Sequence, residues 1–168
     1  MNPSYRIVAQ ARADSPLGPL LLAATTRGLA GVWFDGQAHH PGPIEAPQDA
    51  TNPFIAQALR ELAAYWKGDA GAFQVPLDAA GTEFQRAVWA ALLQIPRGAT
   101  RTYGEIARRC SRPAAVRAVG AAVGRNPLSV IVPCHRVLGS DGSLTGYAGG
   151  LPRKQALLQL EGALGGSA

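Results

Sequence analysis

The sequence predicts an α+β chain in two units: a strand-rich first half carrying one helix, then a mostly helical half with a helix-turn-helix outline. Three observations lead there. Short apolar runs separated by turn residues fill positions 5–34. From Thr82 onward the apolar residues recur at helical spacing behind good capping residues. The charge also divides: residues 1–80 carry five bases against seven acids, a net −2, while residues 81–168 carry eleven against four, a net +7.

In the first half, residues 5–9 and Leu20–Ala24 read as strands, the second entered from the Pro16-Leu17-Gly18-Pro19 turn. Thr26-Arg27-Gly28 signals another turn, and Leu29–Phe34 a third strand. Residues 35–52, rich in Gly, Pro, Asp and His without periodicity, read as a loop. Asn52-Pro53 opens a helix whose inward face is Phe54, Ile55, Ala58, Leu59, Leu62 and Trp66, ending at Lys67-Gly68. Residues 73–77 read as a short final strand. Asp78-Ala79-Ala80-Gly81 marks the boundary, giving domains 1–78 and 79–168.

In the second half, Thr82 is an N-cap with Glu83 and Gln85 in the first turn. Phe84, Val88, Ala91, Leu92 and Ile95 form the buried stripe, stopped by Pro96-Arg97-Gly98. A short helix over 102–109, a Ser111-Arg112-Pro113 turn and a helix over 114–124 follow, the outline of a helix-turn-helix. The last helix is slim: Ala114, Ala115, Ala118, Gly120, Ala121 and Ala122 surround a single Arg117. Such a helix can approach a surface closely or pack against another helix, and both readings stand at this point. The β-branched run 128–132, after Asn126-Pro127, reads as a buried strand or extended segment.

That run leads into Pro133-Cys134-His135-Arg136. Pro133 is suited to begin a helical turn with Cys134 near its amino end, where backbone N–H groups and the nearby Arg136 charge would stabilise a thiolate, the attacking form of cysteine. Sequence neighbours on such a turn point about 100° apart, so His135 would act as base through a bridging water. Glu161, ending a helix over 152–161, is the candidate carboxylate to orient it. The bland alternative is an inert buried cysteine beside a chance histidine.

Composition narrows the classes. Of 168 residues 47% are hydrophobic and 16% charged, which excludes a disordered chain. Charge-free stretches, such as that from Ser15 up to Arg27, are interrupted by Gly, Pro and Thr and fall short of the ~18 apolar residues a membrane helix needs. The first fifteen residues lack a secretory pattern. Cys110 and Cys134 cannot make a disulfide framework, so a reducing cytoplasm is expected. His39, His40, His135 and the cysteines lack metal-ligand spacing, so neither metal nor cofactor is expected. The basic second half suggests a polyanionic partner; arginine bias from a GC-rich genome accounts for part of the same signal.

The chain resembles the 6-O-alkylguanine-DNA alkyltransferases. VPCHRV at 132–137 looks like their active-site signature. RAVG at 117–120 and Asn126-Pro127 match the elements upstream, preceded by GTEFQ at 81–85, VW at 88–89, IPRG at 95–98 and TYGEIA at 102–107. YAGG at 147–150 and KQALLQLE at 154–161 match the run after it. The resemblance covers residues 79–162 in order; the first half matches in outline, as the family's ribonuclease H-like α/β lobe.

The resemblance implies a DNA repair protein that flips 6-O-alkylguanine, and 4-O-alkylthymine, out of duplex DNA. It implies irreversible, single-turnover transfer of the alkyl group to Cys134: a methylated-DNA–protein-cysteine S-methyltransferase. On that reading His135 is the base, Glu161 polarises it, and Asn126 braces the turn presenting the cysteine. Arg117 fills the space left by the flipped nucleotide, and Tyr103 crowds a phosphate and hydrogen-bonds the base. Ala115, Ala118 and Ala122 line the helix entering the minor groove. Val137 and Cys134 offer carbonyls to the guanine amino group, and Tyr147 and Ala148 cap the pocket. Ala148 departs from the serine common in relatives, keeping a backbone N–H but losing a hydroxyl. The implied partner is double-stranded DNA, bound by a monomer away from membranes, with cooperativity along DNA left open. Two rival readings compete with it. A recognition module of this family carries another residue, typically tryptophan, where this chain has Cys134. A cysteine hydrolase would draw its base from elsewhere in the chain.

Overall fold

The computed structural model describes residues 5–69 and 71–164, and the chain divides into two compact units, 1–80 and 81–168. Three antiparallel strands in the order β1-β2-β3 make the sheet of the first unit: β1 Ala9–Ala13, β2 Leu20–Ala24 and β3 Leu29–Phe34. Ala9 pairs with Ala24 and Ala13 with Leu20, while Leu20 pairs with Phe34 across the other edge of β2. Every residue of β2 and β3 is buried.

The first strand starts four residues later than expected. The turn at Ser15–Gly18, closed by Gly18 N–H to the Ser15 carbonyl, fixes which residues face β2. These are small alanines alternating with Gln10 and Arg12, a weaker apolar signal than Tyr5, Ile7 and Ala9. The expected strand at 73–77 reduces to one parallel bridge, Leu29 to Leu77. Gly28 permits that approach, since a Cβ there would lie 2.8 Å from the Pro76 carbonyl oxygen.

Helix α1, Pro53–Trp66, packs on this unit through Ile55, Ala58, Leu62 and Tyr65, and Asn52 caps it by accepting from the Phe54 and Ile55 amides. The 35–52 loop is fastened by buried Gln10, whose Nε2 donates to the Ile44 and Ala46 carbonyls, both at 2.7 Å.

In the second unit α2, Glu83–Leu92, and α3, Tyr103–Arg109, each begin in a capping box: Thr82 with Gln85, and Thr102 with Glu105. Val88, Trp89 and Leu92 of α2 and Ile106 and Ala107 of α3 turn inward. Helix α4, Val116–Gly124, buries Val119, Ala122 and Val123 against them. Ser111, with φ 58°, makes the tight turn between α3 and α4, and α4 starts two residues later than the sequence reading placed it. Two-residue strands β4, Arg101–Thr102, and β5, Val137–Leu138, pair in parallel. Helix α5, Leu151–Leu160, follows Gly150 and buries Lys154, Leu157 and Leu158. Among the described residues no helix is long and apolar enough to cross a membrane.

Candidate functional site

Residues 128–132 are a compact turn, where a strand or extended segment was expected. The cause is Asn126, buried just before them. Its Oδ1 accepts from Leu128 N–H at 2.9 Å, and its Nδ2 donates to the Val132 carbonyl at 2.9 Å and, more weakly, to Leu128 at 3.4 Å. Backbone bonds from Val132 N–H to Leu128 and from Ile131 N–H to Ser129 close the loop, and Val130 takes a positive φ of 72°. The β-branched composition that suggested a strand reflects burial alone.

The turn delivers Cys134 as the first residue of a single 3₁₀ turn, Cys134–Arg136. Cys134 is 4% exposed. Burial pushes its thiol above the ordinary range, against an Asn126 hydrogen bond and the Lys154 charge, which pull it down. The expectation that the turn and Arg136 hold a resting thiolate is therefore corrected. Burial outweighs the turn, and the Arg136 guanidinium is committed to Glu161. The resting cysteine is a thiol and needs a base.

His135 is fully buried, with Nε2 at 2.8 Å from Glu161 Oε2. A carboxylate only accepts, so Nε2 carries the proton and Nδ1 holds the lone pair. Nδ1 has no protein partner among the described residues. Burial lowers the His135 pKa, the Glu161 hydrogen bond and charge oppose this, and the Arg136 and Lys154 charges lower it further. The ring of Tyr147 stands edge-on to His135, centroids 6.5 Å apart at 84°.

Two further residues complete the site: Arg136, expected only as a charge beside the thiolate, and Lys154, for which the sequence suggests no role. Arg136 grips Glu161 with two bonds, Nε to Oε1 at 2.7 Å and Nη2 to Oε2 at 2.9 Å, and donates Nη1 to the Ile95 carbonyl at 2.7 Å. Lys154 is buried and donates to three carbonyls: Val137 at 2.6 Å, Thr145 at 2.9 Å and Gly146 at 3.1 Å. Burial lowers its pKa to about 8. A signal for Lys154 was present: it is one of two lysines in the chain and shares the i, i+3, i+4 stripe of Leu157 and Leu158.

The remaining expected residues lie around this centre. Tyr103 opens α3 and donates its hydroxyl to the Thr145 carbonyl at 3.1 Å; burial raises its pKa. Its ring lies beside Gly120 of α4, about 3.9 Å from where a Cβ would stand. Val137 is buried with its carbonyl on Lys154, and Ala148 is half-buried. Arg117 and Ala118 are exposed on α4 and Ala115 is half-buried. Ala122 is corrected: it is 3% exposed, and its carbonyl accepts from Trp89 Nε1 at 2.8 Å. Four residues, one turn and about 40° of further rotation, separate it from Ala118, enough to carry it onto the inward face with Val119 and Val123, while Ala121 is exposed instead. No group of three or more His, Cys, Asp or Glu side chains among the described residues could hold a metal ion.

A buried cysteine beside a His–Glu–Arg network, in a helical unit with a helix-turn-helix outline, defines a class of protein built around one thiol. The family models name that class. The ribonuclease-like domain of 6-O-methylguanine DNA methyltransferase matches residues 8–79, and the DNA-binding domain of the same family matches residues 83–163. The methylated-DNA–protein-cysteine methyltransferase of Methanosarcina acetivorans is 50% identical over 151 residues, 89% of this chain and 95% of its own. That of Mycobacterium leprae is 49% identical over 148 residues, 88% of each chain. Among solved structures, the Mycobacterium tuberculosis OGT in complex with DNA superposes with a TM-score of 0.83 at 47% identity, covering 92% of each chain. The chain therefore belongs to the 6-O-methylguanine DNA methyltransferase family, the methylated-DNA–protein-cysteine methyltransferases. Its α+β fold is the family's ribonuclease-like domain followed by a helical DNA-binding domain.

Proposed function

We propose that this protein repairs duplex DNA by moving an alkyl group from the 6-oxygen of guanine onto Cys134, irreversibly and once per chain, and that it accepts 4-O-alkylthymine as well. One observation carries the reading. The buried thiol of Cys134 precedes a histidine whose Nε2 is anchored on Glu161, leaving the Nδ1 lone pair as the base.

The chemistry balances without a cofactor. Through a bridging water, His135 Nδ1 takes the thiol proton, and the sulfur attacks the alkyl carbon in line. The carbon–oxygen bond breaks and its electron pair returns to the guanine ring. The proton ends on the ring nitrogen, so unmodified guanine leaves and Cys134 keeps a thioether. Asn126 braces the turn, and Glu161 steadies the imidazolium that forms. The carbonyls of Cys134 and Val137 and the Tyr147–Ala148 segment hold the base, with the Ala148 N–H directed to the departing oxygen.

Reaching that base requires flipping, which costs a few kcal/mol. The exposed side of α4 carries Ala118 and Ala121, slim enough for a minor groove only about 6 Å wide. Arg117 fills the stack, and Tyr103 presses on the backbone. The Mycobacterium tuberculosis relative in complex with DNA supports duplex DNA as the partner, taken up here by a monomer. The reducing cytoplasm is the compartment that suits an acceptor which must stay a thiol. The test is transfer of labelled methyl from a duplex with one 6-O-methylguanine. Labelled Cys134 in the wild type, with DNA binding but no label in Cys134→Ala, is expected. Label in the Cys134→Ala protein would overturn the assignment.

A further inference from the structure

The proposed chemistry uses His135 and Glu161 and gives the third member of their network no task. Arg136, with its side chain 11% exposed, takes both oxygens of a fully buried carboxylate, and Oε2 of that carboxylate also receives His135 Nε2. Its remaining nitrogen closes on the Ile95 carbonyl beyond the end of α2. One guanidinium thus joins three parts of the domain at the atom that orients the base.

Two consequences follow from charge. A buried carboxylate without a counter-ion takes up a proton, whereas a guanidinium gripping both its oxygens keeps it ionised. His135 also faces a pair close to neutral rather than a bare anion, so Glu161 can orient the ring without drawing a second proton onto it. Of the other groups, Lys154 from α5 acts on His135 by its charge and the Tyr147 ring stands edge-on to it; beyond the end of α2, Arg136 donates to the uncharged Ile95 carbonyl, and Arg97 donates to the Leu160 carbonyl beside Glu161.

We propose that Arg136 is a positioning residue for alkyl transfer. It holds Glu161 ionised and fixed in orientation, so that His135 enters the reaction neutral, with its proton on Nε2 and the Nδ1 lone pair ready. This rests on the reading of Cys134 as alkyl acceptor. A purely structural clasp would hold the same three elements together without governing the proton.

The test is the single-turnover transfer rate from a methylated duplex between about pH 5 and 9, for the wild type, Arg136→Gln and Arg136→Lys. Removing the charge in Arg136→Gln moves the acid limb upward by about one pH unit, a tenfold change in proton affinity. Arg136→Lys keeps the charge and holds the limb near its wild-type position while lowering the plateau. Arg136→Gln slowing transfer by one factor at every pH, or Arg136→Lys shifting the limb as far, would overturn the proposal. A second measurement needs no variant. Nitrogen NMR of the wild type at about pH 6.5, where an ordinary histidine is half-charged, shows a neutral His135 ring protonated on Nε2. A doubly protonated ring, or a proton on Nδ1, would overturn it. A wild type that transfers nothing refutes the function itself, and the same NMR reading on Arg136→Gln, where a doubly protonated ring is expected, then judges Arg136.

Discussion

Replacing Asn126 with alanine tests how the nucleophile is held. The side chain is buried and makes two good hydrogen bonds, to Leu128 N–H and the Val132 carbonyl, and one longer bond to the Leu128 carbonyl. Two carbonyls keep a second partner, since Val132 still accepts from Cys134 N–H and Leu128 from Val132 N–H. The loss is thus concentrated on the Leu128 N–H, a donor left unpaired in the interior, with two further bonds gone. An orphaned buried donor costs about 1–3 kcal/mol and each lost bond about 1 kcal/mol, so Asn126→Ala should destabilise the domain by about 3–5 kcal/mol. Hydrogen exchange of the α4 amides reads this domain alone. Transfer should slow at least tenfold, because the Asn126 hydrogen bond that offsets burial of the thiol is lost too. Asn126→Asp keeps the Oδ1 acceptor but aims a carboxylate at two carbonyls and the thiol, so it should be no less damaging. A loss below about 0.5 kcal/mol with wild-type transfer would refute the reasoning, showing that the turn holds itself through its backbone.

Other outcomes follow from the same structure. Lys154 has a folded pKa near 8 against 10.5 in the unfolded chain, so between those values the unfolded chain binds more protons and stability rises with pH. The stability gap between wild type and Lys154→Met should therefore widen by about 1–3 kcal/mol from pH 7.5 to 10, measured by urea unfolding; a constant gap would contradict it. Trp89→Phe deletes the bond to the Ala122 carbonyl and should cost about 1 kcal/mol in α4 exchange. Gly28→Ala drives a Cβ to 2.8 Å from the Pro76 oxygen and should destabilise the first unit by about 1–3 kcal/mol in urea. Arg117→Ala should lower the flipped fraction, read by a fluorescent base beside the lesion, while Cys134→Ala leaves it unchanged.

Much of this was legible in the sequence where the signal is local. Asn52 and Thr82 announce helices that form where their caps put them, because a cap is satisfied within three residues of itself. The run 128–132 misled because β-branched residues report burial, and the hydrogen bonds that bend it come from Asn126. The first strand slid because its inward residues are alanines. Ala122 shows the limit of composition: one helical step decides which face a residue joins. The tasks of Arg136 and Lys154 were not legible, since their partners at Glu161, Ile95 and Thr145 lie 9–41 positions away.

The most direct test of the central claim is the intact mass of the protein after incubation with excess duplex carrying one 6-O-methylguanine. The account predicts a gain of one methylene unit per chain, stopping at one and mapping to Cys134. Repaired DNA beside unmodified protein, or tight binding with no change in mass, would contradict it.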